Sequence, residues 1–295
     1  MSALRGGSRS LAGTVAFLLL NALTGAAFAL AQQAPQPQPT LQASPAPEYG
    51  LLLRGAEAED FLRTAQVIKK KPIGTGVTNP YQLTLTDGTR TLKAVWKTID
   101  VSKFGMTQFD RGGFEVNFRD TYKFEIAAYE LDKLLELKLV PPTIERQISG
   151  ERGSVQLWVE RATTEWDRRA RKVSPPDIES WNRQIFNVRL FHQLTYDTDY
   201  NNIRNVLSDP SFKVYAIDFS RAFRTHNALL AEKDLARFSR FALERLRALD
   251  RAVLVERLGH WLTAPEIDGL LKRRDKILTL AEQRVAEQGE GVLFP

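Results

Sequence analysis

Cysteine is missing from this 295-residue chain, and histidine nearly so, with only His192, His226 and His260. Without thiols there are no disulfides and no thiolate metal sites, so the fold rests on a packed core. The three histidines are far apart in sequence and make no zinc pattern with carboxylates. A Gly-x-Ser-x-Gly elbow and a His-Glu-x-x-His pair are absent too, which argues against the common hydrolase constellations. Charge of one sign is not in large excess: the formal net charge is +6. With no nucleic-acid motif beside it, that mild balance predicts no nucleic-acid partner. Internal repeats are also lacking.

What is present begins with a basic and then apolar N-terminus. Arg5 and Arg9 precede an apolar run over 11–30 that closes on Ala29-Leu30-Ala31 before Gln32. This order predicts a cleavable signal peptide over 1–31, and with it an exported protein, periplasmic or extracellular. About 20 apolar residues would also just span a bilayer. A membrane is therefore a partner only if this segment is retained, and Gly13, Gly25 and the small-residue exit favour cleavage. Cleavage removes two arginines and no acid. Glutamine, proline and alanine then alternate without hydrophobic periodicity, which predicts a linker over 32–56, with ordered sequence starting near Glu48 or Glu57. The remaining chain, roughly 240 residues, is long enough for one bilobal domain divided into 57–161 and 162–295. A chain of this kind, free of cysteine, suits a bacterial envelope protein.

From Ala65 to Lys97 the pattern is that of strands, with Asp87-Gly88 as a hairpin turn. Gly74 and Gly76 lie in the first connection, where residues without a Cβ would let backbone N–H groups approach a phosphate. Gly74-x-Gly76 lacks a third glycine and reads equally as a plain turn. The strand Ala94-Val95-Trp96-Lys97 ends in a lysine placed to point inward at phosphates. Lys93 has the same parity, so alternation alone does not choose between them. The glycine- and charge-rich segment 98–120 reads as an exposed connection.

Phe124, Ala127, Ala128, Leu131, Leu134 and Leu135 fall at helical spacing and predict an amphipathic helix that ends before Pro141-Pro142. Glu125 borders this stripe in the first turn, where a carboxylate complements the helix dipole, and Glu130 is the alternative. Two strands follow, over 143–148 and 155–159. Ser174-Pro175-Pro176-Asp177 reads as a helix start, and Ile178, Trp181, Ile185, Val188 and His192 define one face of a helix destined for the interior. His192 is read as a packed histidine. Beyond residue 232 the chain reads as helical, with Leu235, Phe238, Ala242, Leu246 and Leu249 on one stripe and a capping box at Thr263-Ala264-Pro265-Glu266.

The richest stretch is Tyr196-Asp197-Thr198-Asp199-Tyr200-Asn201-Asn202-Ile203-Arg204-Asn205, followed by Val206-Leu207 and then Val214-Tyr215-Ala216-Ile217-Asp218. The two apolar runs, joined by Ser208-Asp209-Pro210-Ser211, predict a short β-hairpin that brings Asn205 and Asp218 toward one metal position. A carboxylate and an amide on a polar loop, then a carboxylate leaving an apolar strand, can orient a hydroxyl and hold Mg²⁺ on nucleotide phosphates. Arg221 and Arg224 follow, and either meet phosphate or an acidic substrate or close salt bridges.

Taken in order, these features resemble an atypical protein-kinase-like fold. The nearest resemblances are to the bacterial phosphatidylinositol 3/4-kinase-like and HipA-like groups and to the secretory-pathway kinases. The stretches 125–146 and 197–224 carry most of it. The resemblance implies an α+β bilobal fold, with a small antiparallel β-rich N-lobe holding one helix and a mainly helical C-lobe. It implies ATP or another nucleoside triphosphate, with Mg²⁺ or Mn²⁺, and a protein, lipid or small-molecule acceptor bearing a hydroxyl. Gly74, Gly76 and Lys97 would then bind the nucleotide, and Glu125 would pair with Lys97. Asp199 would orient or deprotonate the acceptor, Asn205 and Asp218 would hold the metal, and the segment 157–161 would meet the base. The loop departs from the usual pattern: Asp199 to Asn205 is one residue longer than the kinase spacing, and Tyr200 replaces an arginine. Asp197 and Asn202 stay open as alternatives for these roles, as does a catalytically silent relative acting as an envelope scaffold.

Overall fold

The computed structural model describes residues 48–74, 80–108 and 114–295. The expected signal peptide, the linker up to residue 47 and Gly76 lie outside the described residues. Residues 48–56, which composition assigned to the linker, belong to the fold. Gly50 exchanges two 2.9 Å backbone hydrogen bonds with Glu160, and Leu51 and Leu53 are buried. Two leucines in an otherwise polar approach are enough to anchor the chain.

Helix α1 (Gly55–Thr64) leads into five antiparallel strands: β1 (Gln66–Pro72), β2 (Tyr81–Thr86), β3 (Thr91–Lys97), β6 (Thr143–Ile148) and β7 (Glu151–Leu157). Their spatial order is β1-β2-β3-β7-β6. Leu83, Leu85, Leu92, Ala94, Trp96, Val155 and Leu157 turn one face of this sheet onto α1, which contributes Ala58, Phe61 and Leu62. Alternation of buried and part-exposed residues along β3 is the period-2 signature of a half-covered sheet.

Between β3 and the next helix lies a correction to the sequence reading. The segment expected as an irregular connection forms a second antiparallel pair, β4 (Asp100–Gln108) with β5 (Phe114–Thr121). Of the glycines that suggested a loop, Gly105 serves the pairing, and Gly112 and Gly113 lie outside the described residues. Gly105, at φ +81°, sits where the register shifts between Lys103 and Met106. Helix α2 (Tyr122–Leu135) starts as soon as β5 ends, capped by the Thr121 side chain, and stops at Glu136 in the left-handed region.

The remaining chain is mainly helical. It comprises β8 (Thr163–Thr164), α3 (Glu165–Ala170), α4 (Ile178–Thr195), the hairpin β9 (Val206–Ser208) with β10 (Val214–Ala216), the short strand β11 (Phe238–Ser239), α5 (Arg240–Ala248), α6 (Arg251–Leu258), α7 (Ala264–Gln288) and β12 (Leu293–Phe294). Its core joins α2, α4, α5, α6 and α7 through residues such as Phe124, Leu131, Phe191, Leu194, Phe219, Leu246, Leu254 and Leu270. The stripe beginning at Leu235 is not one helix. A 3₁₀ turn and β11 come first, and α5 begins only at Arg240 behind the Ser239 cap. Among the described residues no helix is long and apolar enough to cross a membrane.

Candidate active site

Three elements set the centre of the site. Lys97 is the last residue of β3 and pairs in register with Ser154 of β7. The strands approach so closely there that a Cβ on Gly153 would stand 2.3 Å from the Lys97 carbonyl oxygen. Only glycine fits, so the position of Lys97 depends on a residue in another strand. Glu125 lies in the first turn of α2, with a side chain 2% exposed. Asp218 follows β10 and takes φ +67°, a left-handed conformation that costs a non-glycine residue energy and occurs where surroundings over-determine the backbone.

These residues converge. Lys97 Nζ donates to Glu125 Oε1 at 2.5 Å and to Asp218 Oδ1 at 2.6 Å. The second oxygen of Glu125 accepts the Phe219 N–H at 3.1 Å, so one carboxylate ties β3, α2 and the turn after β10 together. Burial alone would lower the Lys97 ammonium, but the Asp218 and Glu125 carboxylates more than reverse this and hold it above its ordinary value. Beside Lys97, Asp218 is held below the usual carboxylate range, whereas burial pushes Glu125 up despite the same lysine. Asp218 is the trio's outlet to solvent, with 39% of its side chain exposed against 11% for Lys97. Lys93, the sequence alternative, pairs instead with Glu160 at 2.8 Å. Glu130 points away, bonding Lys133 and Arg257.

The polar loop comes from the end of α4. Tyr196 terminates that helix in the left-handed region. Asp199 Oδ2 accepts both the Asn202 and the Asn205 side-chain amides, each at 3.0 Å. Asn205 thus sits on Asp199 despite the long spacing, because Tyr200, Asn202 and Asn205 are folded back by successive turn hydrogen bonds to Asp197, Asp199 and Asn202. Across the β9–β10 hairpin, Ile217 N–H donates to the Asn205 carbonyl at 2.9 Å, which places Asn205 beside the residue preceding Asp218. Asp197 is fully buried against His192 and does not line the cleft. Gly74, at φ +73°, is described, and among the described residues nothing stands within 4 Å of where its Cβ would lie.

Beyond Asp218 the chain is clamped on both sides. Thr121 N–H donates to the Ser220 carbonyl, Thr198 Oγ1 to that of Arg221, and Phe223 N–H to that of Thr195. Arg224 is buried, paired with Glu115 at 2.6 Å and donating to the Arg119 carbonyl, so its role is internal. Sequence reasoning passed over Arg273 of α7, which is fully buried and donates to the carbonyls of Leu194, Arg224 and His226. Burial without a carboxylate partner pushes this guanidinium down to about 9. Its signal lay hidden in Lys272-Arg273-Arg274, a run that reads as a solvated helix face.

The oxygen donors at this centre are a carboxylate and an amide, a hard set suited to Mg²⁺ or Mn²⁺. Among the described residues no three His, Cys, Asp or Glu side chains gather as a metal site.

No protein-family model matches the sequence, and no curated protein matches it. Solved structures do. The structure of hydra Fam20 with sugar is similar at a TM-score of 0.57 and 14% identity, over 80% of this chain and 90% of that one. The Golgi casein kinase is similar at 0.57 and 14%, over 80% and 78%. The same kinase with Mn/ADP bound gives 0.54 and 13%, over 80% and 77%. At these identities the likeness establishes the fold, an atypical protein-kinase-like α+β architecture.

Proposed function

We propose that this chain is a kinase-like phosphotransferase, moving a phosphoryl group from a nucleoside triphosphate to a hydroxyl acceptor. The observation that carries the reading is the Lys97, Glu125 and Asp218 trio facing the Asp199 and Asn205 pair across one hairpin. The likeness to a kinase whose structure holds Mn/ADP supports ATP with Mg²⁺ or Mn²⁺ as the donor. Among kinase-like groups the reading sides with the secretory-pathway kinases rather than the phosphatidylinositol 3/4-kinase-like or HipA-like ones.

Lys97 supplies a permanent positive charge for the donor phosphates, oriented by Glu125. Asp218 and the Asn205 amide oxygen would hold the divalent cation, which would supply positive charge to the donor phosphates. Asp199 takes the acceptor proton: only its Oδ2 is engaged by Asn202 and Asn205, leaving Oδ1 for the acceptor O–H. The acceptor oxygen bonds to the γ-phosphorus as the bridging bond to the β-phosphate breaks, and the nucleoside diphosphate leaves with those electrons. The acceptor is a hydroxyl of protein, lipid or sugar, the last supported by the sugar-bound neighbour. Residues 48–161 and 162–295 serve as the two lobes, and residues 1–31 as the export signal.

A second reading, a silent scaffold of the cell envelope, is favoured by the altered loop, in which Tyr200 replaces an arginine and two amides share one Asp199 oxygen. Incubating the chain with γ-labelled ATP and Mg²⁺ or Mn²⁺ separates the two. Label released or transferred, and lost in Asp199→Asn, supports the enzyme; nucleotide binding without turnover supports the scaffold.

A further inference from the structure

One buried ionisable pair has no part in the chemistry above. His192 and Asp197 are 4% and 0% exposed, and His192 Nδ1 lies 2.8 Å from Asp197 Oδ2. Burying such a pair is a weak way to stabilise a fold, since desolvation offsets most of the attraction. Its connections are more telling. The other oxygen of Asp197 accepts the backbone N–H of Asp199 at 3.0 Å. The His192 ring stacks on Phe219, with centroids 5.4 Å apart and planes 26° from parallel. Phe219 follows Asp218 directly and gives its N–H to Glu125. The pair therefore touches the residue that would take the acceptor proton at one end, and the turn that carries Asp218 at the other.

Local structure explains how the link is made. The left-handed Tyr196 folds the chain back over the end of α4, and Asp197 N–H donates to the His192 carbonyl at 3.1 Å. This returns the Asp197 carboxylate to the histidine five residues earlier. Among the described residues buried His192 Nε2 has no hydrogen-bond partner and Nδ1 has Asp197, so Nδ1 is the nitrogen that carries the proton.

We propose that His192 and Asp197 are positioning residues that hold the Asp199 loop in register with the Asp218 turn. This rests on the phosphotransferase reading. Turnover depends on placing a proton acceptor within about 0.5 Å of its productive position, and the pair is a buried side-chain connection between the two halves of that geometry, beside the backbone-carbonyl links at Asn205, Thr195 and Arg221. Asp197→Asn tests it with little change in shape. The amide group facing Nδ1 cannot accept its proton, so the imidazole must move the proton to Nε2, where no acceptor waits.

The assay is hydrolysis of MgATP by the full chain, water standing in for the acceptor hydroxyl. Asp197→Asn is expected to lower kcat at least 10-fold while KM for ATP stays within about twofold, because Lys97 and Asp218 are untouched. Placed in an Asp199→Asn background it should add less than twofold, since it acts through Asp199. A purely structural role would lower the folded fraction equally in both backgrounds. His192→Phe keeps a ring on Phe219, breaks the bond to Asp197, and should show the same loss of kcat. Nitrogen NMR of His192 should find Nδ1 protonated in the parent and Nε2 in Asp197→Asn. Both variants turning over within twofold of the parent would overturn the proposal, as would loss of fold in both. A parent chain with no turnover would overturn the phosphotransferase reading first, and this inference with it.

Discussion

At the scale of single residues, the proposed function separates binding from proton transfer. Asp199→Asn should leave nucleotide binding intact and lower turnover by about 100-fold or more, the usual worth of a positioned base, as measured by initial rates at saturating MgATP. A different residue predicts how stability varies with pH. Asp132 of α2 is buried, and one of its oxygens accepts from Leu139 and Val140 N–H while the other has no partner. Burial pushes its carboxyl up to about 7, against the opposing pull of those N–H groups and Lys213. Because the folded value lies above the unfolded one, the native state binds more protons between about pH 4 and 7. Stability from this group therefore rises as pH falls through that window and is lost as pH rises, by at most about 4 kcal/mol. Denaturant titrations from pH 4 to 8 should show that slope, and Asp132→Asn should flatten it.

At the scale of elements, the chain showed what periodicity can show. The stripe at Phe124, Ala127, Ala128 and Leu131 marked α2, the Thr263 and Glu266 capping box marked α7, and the apolar runs around Asp209-Pro210 marked the β9–β10 hairpin. The approach of Asn205 to the residue before Asp218 was legible because that hairpin is local. The β4–β5 pair was not legible. Phe104, Met106, Phe114 and Val116 are all exposed, so no buried face imposes alternation, and Gly105 looks like loop. Helix α1 escaped because only Ala58, Phe61 and Leu62 are buried in ten residues. The His192–Asp197 link was hidden for another reason, since it depends on a left-handed residue at a helix end rather than on a spacing. The same dependence of site on scaffold predicts that Gly153→Ala, a residue with no chemistry of its own, forces β7 away from the end of β3. It should weaken nucleotide-dependent stabilisation about as much as a change at Lys97, which a thermal-shift comparison of the two variants would show.

At the scale of the whole molecule, two hydrophobic cores flank the ion trio, one under the five-stranded sheet and one among the helices. Each trio member comes from a different element, so the site exists only when sheet, α2 and hairpin are all in place. Chains only 13–14% identical to this one share the architecture, which packing can keep without a long shared motif. The export proposed for residues 1–31 raises the question of where a nucleoside triphosphate would come from outside the cytoplasm, and the donor is best tested directly. The most direct measurement is a thermal-shift titration of the chain with nucleoside triphosphates and Mg²⁺ or Mn²⁺, beside Lys97→Ala and Asp218→Ala. Ligand at 100 times its dissociation constant adds about 2.7 kcal/mol, and so raises Tm by roughly 5–10 °C in a domain of this size. Each variant shifts the baseline by leaving buried charge unpaired, so the ligand-dependent increment is the quantity to read. Metal-dependent stabilisation of the parent, absent from both variants, is the predicted result. A folded parent that no nucleotide stabilises would contradict the account.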